Sequence, residues 1–493
     1  MERAAHSNYL DGVLEQARLR PGAPALDTAA GIVTYRDFAA ALGGVAAGLA
    51  RQGLVPGDGV AILCGDAGDY LRAALGAALG GFVVVAVDPD WPAGDIARLL
   101  ALTGVAAIVG DGAAAGALPV LPPASLAPAD PWAARHPGGP HTVQVAVSSG
   151  TTGPSKAAPV AHDQLLRRTR AMTEALGVGA ADRYLPIVAM PFAIGRGPAL
   201  RVLDVGGTVV LRPPAATIAE HVADLAALGI TYLSVTPSHV HSYLDALPPA
   251  AAPAMPGVRV LTVNSAMLAP GVRRQVRSRL TPGLHITYGT NEAGYVAHAG
   301  PADLGRRPAT VGRAFPGMAI EIVDDAGRAL PPGTVGEVRV RTPFVASAYL
   351  DDAAATGRAH RGGWFHPGDV GHLDADGFLF LAGRVDDRIN AGGIKVYPAE
   401  IEAALLAHPA VAEAAAVGWR SARLGEAPVA AVVLRSPVPE AALRAFARDR
   451  LGAEKTPRRV LAVPALPRSP TGKVPPRELR RLLEALLAGA ASA

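Results

Sequence analysis

The chain has 493 residues, half of them apolar and 18% charged, so it is long enough for two or more globular lobes and has no compositional sign of disorder. Its 46 basic and 42 acidic residues nearly balance, and pairs such as Arg167-Arg168 are scattered, which argues against a nucleic-acid-binding protein. A single cysteine, Cys64, excludes an internal disulfide and a cysteine-based zinc site, and no apolar run could span a bilayer. We therefore expect a globular, cytoplasmic protein in which Cys64 is a buried packing residue.

Short β-branched runs alternate with Ala/Leu-rich stretches of helical spacing over the first half of the chain. This alternation is typical of layered α/β structure with parallel strands. The stretch 111–140 is rich in Ala, Pro and Gly and is expected to be a long surface connection without an element of its own. The predicted strands are 60–63, 83–87, 106–109, 208–211, 232–235 and 258–261, and the predicted helices are 70–79, 96–102 and 218–228.

Later segments differ in pattern. Residues 320–323 and 335–340 alternate around a turn at 324–327, which predicts a hairpin in a β-rich subdomain. After the charged segment 384–388 the composition changes again and predicts a small α+β domain. We place the boundary so that 1–385 is a large N-terminal domain and 386–493 a small C-terminal one. The elements predicted in the small domain are a strand and helix in 396–406, strands at 411–419 and 429–434, and helices at 440–451 and 477–487.

A candidate phosphate loop follows the apolar run 143–147. Segment 148–156 reads Ser-Ser-Gly-Thr-Thr-Gly-Pro-Ser-Lys, in which glycines let backbone N–H groups approach phosphate oxygens and hydroxyls add donors. It is not a Walker A loop, because Lys156 is neither preceded by Gly nor followed by Ser or Thr. A plain Ser/Gly surface loop is the alternative. The residues predicted to bind a polyphosphate are Ser149, Gly150, Thr151, Thr152, Gly153 and Lys156.

The same loop resembles the signature loop of the adenylate-forming superfamily, which contains acyl-CoA synthetases, peptide-synthetase adenylation domains and luciferases. Further motifs similar to those of the family follow in family order. They are Tyr-Gly-Thr-Asn-Glu at 288–292, Trp-Phe-His-Pro-Gly-Asp at 364–369, the stretch 383–402 and Pro-Arg-Ser-Pro-Thr-Gly-Lys at 467–473. The resemblance covers nearly the whole chain. It implies a large N-terminal domain of layered α/β lobes plus a β-rich subdomain, and a small mobile α+β C-terminal domain.

The resemblance implies an ATP site with Mg²⁺ in the large domain. Glu292 would hold the magnesium, which accepts a single protein carboxylate when substrate phosphates supply other oxygens. Lys473 would bridge the substrate carboxylate and the α-phosphate in the transition state. No general base is needed, because a carboxylate is already ionised at neutral pH. The other residues expected to contact ATP are Lys156 at the β- and γ-phosphates, Tyr288, Gly289, Thr290 and Asn291 by the adenine and α-phosphate, and Asp369 and Arg384 at the ribose.

The family resemblance also implies a second step, in which the acyl group passes to a thiol. Rotation about Asp386 would withdraw Lys473 and bring the loop containing Gly392 and Gly393 to the site. Two glycines leave room for a pantetheine arm to approach the backbone, which favours coenzyme A as the acceptor. We therefore predict an acyl- or aryl-CoA ligase.

The acid pocket is expected near the segments 190–195 and 263–266. The first of these contains no carboxylate, which argues against an α-amino acid as substrate. We expect a small, aromatic or short-chain acid. The residues predicted to contact it are Phe192, Ala193, Gly195, Asn264, Ser265, Ala266 and Gly294.

Two alternatives remain. The first is a stand-alone adenylating enzyme that loads the phosphopantetheine of a separate carrier protein. The second is a nucleotide-binding homologue without catalysis, suggested by Asn291 and Pro367, which replace threonines of the family motifs, and by the displaced proline before Lys156.

Overall fold

The computed structural model describes residues 8–110, 118–148, 156–248, 252–392, 394–421, 425–468 and 474–491. Within these ranges the chain forms four β-sheets with helices packed on them. The helices are α1 (Asp11–Leu19), α2 (Tyr35–Arg51), α3 (Ala67–Leu79), α4 (Ala93–Thr103), α5 (His162–Leu176), α6 (Ala193–Asp204), α7 (Ile218–Ala227), α8 (Pro237–Ala246), α9 (Pro270–Gln275), α10 (Pro301–Arg306), α11 (Ala353–Ala359), α12 (Pro398–Leu406), α13 (Glu440–Lys455) and α14 (Pro476–Ala491).

The first sheet follows a short hairpin of β1 (Pro24–Thr28) and β2 (Gly31–Thr34), which belongs to the second sheet. Its order is β6-β5-β3-β4-β7-β8, parallel except for the β7–β8 pair. Alternate residues of its central strands enter two different apolar clusters, so the strands are buried on both faces and read as continuous apolar runs. Its strands are β3 (Gly59–Leu63), β4 (Val83–Ala86), β5 (Ala107–Gly110), β6 (Val120–Leu121), β7 (Thr142–Ser148) and β8 (Lys156–Ala161).

The second sheet adds β9 (Arg183–Tyr184), β10 (Thr208–Val210), β11 (Tyr232–Val235), β12 (Val260–Val263), β13 (Leu284–Thr290), β14 (Gly294–Ala299) and β15 (Arg313–Ala314). Its order is β15-β14-β13-β12-β11-β9-β10-β1-β2. The six neighbours β13, β12, β11, β9, β10 and β1 are parallel, whereas β14 and β15 run antiparallel at one end and β2 pairs antiparallel with β1 at the other. Since parallel strands end at the same edge, the residues after β12 lie beside the last residues of β13.

The third and fourth sheets follow in the second half of the chain. The third is antiparallel, with the order β18-β19-β17-β20-β21 and β16 paired to β17. The fourth has the order β23-β22-β25-β24, with β26 parallel to β25. Helices α12 and α13 share one apolar cluster with this sheet, and α14 shares another. The strands are β16 (Ala319–Val323), β17 (Gly336–Arg341), β18 (His360–Arg361), β19 (Trp364–Phe365), β20 (Asp369–Leu373), β21 (Leu379–Arg384), β22 (Ile389–Ala391), β23 (Ile394–Val396), β24 (Val411–Ser421), β25 (Gly425–Leu434) and β26 (Arg459–Ala462).

The α/β fold class, the predicted helices and most predicted strands are confirmed, and Cys64 is buried. The strand expected at 258–261 begins two residues later, because Val258 closes a turn onto Met255. No helix in the described ranges has the length and apolarity to cross a bilayer.

The expectation of a plain surface connection over 111–140 is wrong in its described part. Strand β6 pairs with β5, and Pro123–Ser125 forms a short 3-10 turn. A Cβ at Gly43 or Gly44 of α2 would collide with the carbonyls of Ala129 and Ala127, so these glycines let the segment lie directly on the helix. The segment contacts α2 with its backbone atoms, so its side chains show no apolar periodicity. The sequence therefore contains no sign that the segment is packed.

The second and third sheets are joined at Gly312. Val311 N–H donates to Leu379 O at 2.9 Å, and Leu379 N–H donates to Gly312 O at 2.8 Å. Gly312 has φ +107°, and a Cβ there would collide with the His298 backbone. Glycine at this position therefore fixes the third sheet against the second.

Gly312→Ala tests this junction against a matched control, Gly317→Ala. Gly317 has φ +78° but no atom near its missing Cβ. Each variant should lose about 1 kcal/mol from left-handed backbone strain, and Gly312→Ala should lose roughly a further 1–3 kcal/mol from overlap. Chemical denaturation followed by circular dichroism measures the difference. Equal losses in the two variants would contradict a tight junction at Gly312.

Candidate active site

The carboxylate of Asp369 joins two predicted motifs. Asp369 is the first residue of β20 and lies opposite Arg384 of β21. Its Oδ2 accepts a hydrogen bond from the Tyr288 hydroxyl at 2.6 Å, and its Oδ1 accepts one from Arg384 Nη1 at 3.0 Å. Burial and then the charge of Asp369 raise the pKa of Tyr288 well above its ordinary value, so the phenol remains a donor. The structure thus brings Tyr288, Asp369 and Arg384 together across the second and third sheets.

A second buried carboxylate, Glu292, lies in the loop after β13. Its Oε1 accepts a hydrogen bond from the Tyr349 hydroxyl at 2.8 Å, whereas no described residue donates to its Oε2. Lys156 Nζ lies 5.1 Å from the centroid of the Tyr349 ring, within reach of a cation–π interaction. Tyr349 therefore contacts both residues, Glu292 through its hydroxyl and Lys156 through its ring. A carboxylate oxygen without a donor fits a hard cation such as Mg²⁺.

Arg168 of α5 fixes the backbone that carries Glu292. The side chain is buried and donates from Nη1 to Asn291 O at 3.1 Å, from Nε to Phe344 O at 3.0 Å, and from Nη2 to Glu292 O. Burial lowers the pKa of the guanidinium to about 10, so it stays charged at neutral pH. Gly294, with φ +71°, leaves room for this side chain, because a Cβ there would lie 2.6 Å from Arg168 Cδ. Gly294, predicted to contact the acid, thus has a packing role.

Neither Arg168 nor Tyr349 was singled out in the sequence. Arg168 was noted only as half of a basic pair, and Tyr349 lies outside the family-like motifs. A buried arginine that binds backbone carbonyls leaves no local signal, because its partners lie more than a hundred positions away. The sequence offers no periodicity or spacing that would reveal such a contact.

The remaining residues of the 288–292 motif hold the loop itself. Asn291 Nδ2 donates to Val147 O of β7 at 2.8 Å, which ties the loop to the strand before the candidate phosphate loop. Thr290 Oγ1 accepts from Ala293 N–H at 3.0 Å. A Cβ on Gly289 would collide with Gly294 O, where the β13–β14 register shifts. Asn291, expected to donate to a phosphate, donates one of its two amide hydrogens to the backbone.

The residues after β12 lie beside β13. Asn264 Nδ2 donates to Ser234 Oγ at 3.3 Å, and its Oδ1 accepts from the Thr287 hydroxyl, so the amide bridges β11 and β13. Ser265 has φ +76°, which is uncommon for a residue with a side chain. Ser265 and Ala266 are exposed at this edge.

The predicted pocket residues at the start of α6 differ in environment. Phe192 is half-buried and precedes the helix, and Ala193 is exposed. Gly195 is buried, and a Cβ there would collide with the carbonyls of Val188 and Ala189. Its own carbonyl accepts from the Tyr184 hydroxyl at 2.9 Å. Gly195 therefore packs the helix onto the preceding loop.

Asp386 is exposed between the end of β21 and the start of β22. Gly392, also exposed, has φ +67°, a conformation that favours glycine. Lys395, three residues further on, forms an ion pair at 2.8 Å with Asp325 in the segment between β16 and β17.

Several predicted residues lie outside the described ranges, although their flanks are placed. Ser148 and Lys156 face each other across β7 and β8 on either side of the candidate phosphate loop. The residues outside the described ranges are Ser149, Gly150, Thr151, Thr152, Gly153, Gly393 and Lys473.

Comparison with known proteins gives a consistent set of matches. The model of the AMP-binding enzyme family matches residues 13–350, and that of the AMP-binding enzyme C-terminal domain matches residues 400–473. An indoleacetate–CoA ligase of Aromatoleum aromaticum is 33% identical over 70% of this chain and 68% of its own. The match to a probable CoA ligase of Humulus lupulus, 31% identical, covers 66% of this chain and 63% of that relative.

Two other matches span nearly the whole chain. The fatty acid–[acyl-carrier-protein] ligase ScoC of Streptomyces coeruleorubidus is 30% identical over 94% of both chains. The crystal structure of ATP-bound MatB from Rhodopseudomonas palustris superimposes with a TM-score of 0.86 at 26% identity, covering 97% of this chain and 99% of that one.

The role of Arg168 is tested by Arg168→Lys, with Arg167→Lys as the matched control. Lysine cannot reach three carbonyls at once, so Arg168→Lys should cost about 2–3 kcal/mol of stability. Arg167 is 56% exposed, so its replacement should change stability by less than about 0.5 kcal/mol. Denaturant unfolding compares the two. Similar stabilities would show that Arg168 does not hold the Glu292 loop.

Proposed function

The chain belongs to the AMP-binding enzyme family, and we propose that it is an ATP-dependent ligase that joins a carboxylic acid to coenzyme A through an acyl-adenylate. The observation that carries this proposal is the convergence of Tyr288, Asp369 and Arg384 from separate motifs, beside Glu292 and Lys156. The indoleacetate and hop relatives are named as CoA ligases, and the MatB neighbour was solved with ATP.

Asp369 binds the ribose of ATP. Each carboxylate oxygen has two lone-pair directions, and each accepts one hydrogen bond from Tyr288 or Arg384. Tyr288 and Arg384 hold the carboxylate in place, so little ordering remains to be done when the nucleotide binds.

Glu292 and Lys156 face the triphosphate. The Glu292 carboxylate would hold Mg²⁺, and Lys156 with the hydroxyl-rich segment 149–153 would contact the β- and γ-phosphates. Magnesium, when bound, neutralises phosphate charge as pyrophosphate departs. The acid attacks the α-phosphorus as a carboxylate, and Lys473 offsets the charge that accumulates there.

Residues 386–493 act as a mobile domain that pivots at Asp386. This residue is exposed between two sheets, and the ion pair of Lys395 with Asp325 is solvent-exposed and therefore weak. Rotation brings the loop of Gly392 and Gly393 to the adenylate. The thiol then attacks the acyl carbon, the thioester bond forms and AMP leaves with the bridging oxygen. A cytoplasmic location fits a reaction that consumes ATP and coenzyme A.

The acceptor is tested by supplying ATP and an acid panel with either free coenzyme A or a phosphopantetheinylated carrier protein. The carrier is the second candidate, because ScoC is named for that acceptor and matches over 94% of the chain. We expect thioester formation with coenzyme A. Product with the carrier alone would make the chain a carrier-loading enzyme.

Lys473→Ala tests the adenylation step, with Lys455→Ala as the control. Loss of the Lys473 charge should slow acid-dependent pyrophosphate release by at least about 100-fold without changing the unfolding midpoint. Lys455 pairs with Glu400 in the same domain and should be nearly neutral for the rate. Undiminished pyrophosphate release by Lys473→Ala would rule out its assigned role.

Glu292→Gln and Tyr349→Phe test the magnesium site. Glutamine removes the charge that binds the cation, so saturation should require much more Mg²⁺. Tyr349→Phe removes only the donor to Oε1 and should raise the half-saturating Mg²⁺ about 10-fold. Pyrophosphate release titrated with Mg²⁺ measures both effects. An unchanged Mg²⁺ dependence in Glu292→Gln would place the cation elsewhere.

A further inference from the structure

Helix α6 carries a buried arginine, Arg201, that is only 2% exposed. Its Nη2 donates to the Tyr232 hydroxyl at 2.8 Å, and its Cζ lies 5.4 Å from the centroid of the Tyr295 ring. Its Nε is buried without a hydrogen-bond partner. No carboxylate in the described part of the chain forms an ion pair with it. Arg201 is therefore a buried cation without an anion.

Two other buried arginines show what a structural arginine looks like in this protein. Arg168 donates to carbonyls of three residues, and Arg273 donates to Leu268 O, Pro308 O and Thr310 O. Arg201, by contrast, interacts with the phenols of Tyr232 and Tyr295, and among the described residues it donates to no carbonyl. Burial raises the pKa of Tyr232, so this phenol is neutral at physiological pH and does not balance the charge. An uncompensated buried charge is costly to the fold unless an anion binds there.

Space is available beside Arg201. Gly197 lies one turn earlier on α6, and a Cβ there would have one neighbour, Arg201 Nη1 at 3.5 Å. Gly195, two residues before, is packed tightly against carbonyls. The space beside Gly197 is therefore open, and Nη1 of Arg201 lies at its edge. It lies on the helix that starts at the predicted acid pocket.

Tyr295 places the same guanidinium near the loop of Glu292. Tyr295 follows Gly294 directly in β14, and the centroid of its ring lies 5.4 Å from Arg201 Cζ of α6. The side chain of Arg201 points back along α6, because its Nη1 would lie 3.5 Å from a Cβ at Gly197. Gly197 is two residues after Gly195, about 3 Å along the helix, so the cation lies close to the region assigned to the acid.

We propose that Arg201 binds a second acidic group on the substrate, so that the acid is a small dicarboxylate or a carboxylate with a terminal sulfonate. This inference rests on the proposed acid-activating function and specifies its substrate class. A planar guanidinium with free N–H groups suits two-point binding of a carboxylate or sulfonate. The second acidic group lies beside Gly197, about 3 Å along the helix from Gly195, which favours a short spacer.

The wild-type enzyme is tested with matched acids that differ only at the far end. Each straight-chain monocarboxylate is compared with its dicarboxylate and its terminally sulfonated analogue, over increasing chain length. A site with unpaired buried donors should prefer the anionic acids in kcat/KM for pyrophosphate release by at least about 100-fold. Equal or better use of the monocarboxylates overturns the inference while leaving the proposed function intact. Failure of every acid would count against the proposed function itself.

Arg201→Met and Arg201→Lys show whether that preference depends on this side chain. Methionine keeps much of the apolar volume without the charge, so the KM of the dicarboxylate should rise about 100-fold while that of the monocarboxylate is unchanged or lower. Lysine should retain part of the preference. Equal changes for both acids in Arg201→Met would reveal a structural role and contradict the inference. The wild-type comparison decides the matter even if neither variant folds.

Discussion

The buried guanidinium of Arg168 is the contact on which the site depends. It gathers carbonyls from the loop after β13 and from the segment near residue 344, and so sets the position of Glu292 relative to Tyr349. Burial disfavours its charge, but several backbone acceptors and the nearby Glu292 compensate. Gly294 is required because any side chain there would occupy the space of Arg168. An arginine that need not contact the substrate thus positions the carboxylate proposed to hold Mg²⁺.

Asp369 extends the same organisation to the third sheet. Tyr288 from the second sheet and Arg384 from the third share its carboxylate, and the bridge at Gly312 holds the two sheets in register. The residues proposed to bind the nucleotide are thus held by paired strands. The predicted pivot at Asp386 follows only two residues after Arg384, so a domain that moves there would do so without disturbing the ribose site. This arrangement suits one site that serves two successive half-reactions.

The pattern of apolar and polar residues along the chain predicted the helices and strands whose burial depends on neighbouring residues in sequence. The strands of the first sheet are buried on both faces and read as apolar runs, and the hairpin of β16 and β17 alternates cleanly. The motif residues Tyr288, Glu292, Asp369 and Arg384 were found by resemblance, and the structure places them near one another. Arg168, Tyr349 and Arg201 were missed, because each acts through partners distant in sequence. Close packing accounts for glycine at positions 195 and 294, and the contact of both residues with the acid stays a prediction.

The proposed reaction begins with attack of the acid's carboxylate on the α-phosphorus of ATP. It is tested most directly by incubating the enzyme with ATP, coenzyme A and an acid whose carboxylate carries heavy oxygen, followed by mass spectrometry of the nucleotide products. An acyl-adenylate route leaves one labelled oxygen in AMP, because the acyl carbon–oxygen bond breaks when the thioester forms. Label in inorganic phosphate with formation of ADP would contradict the account.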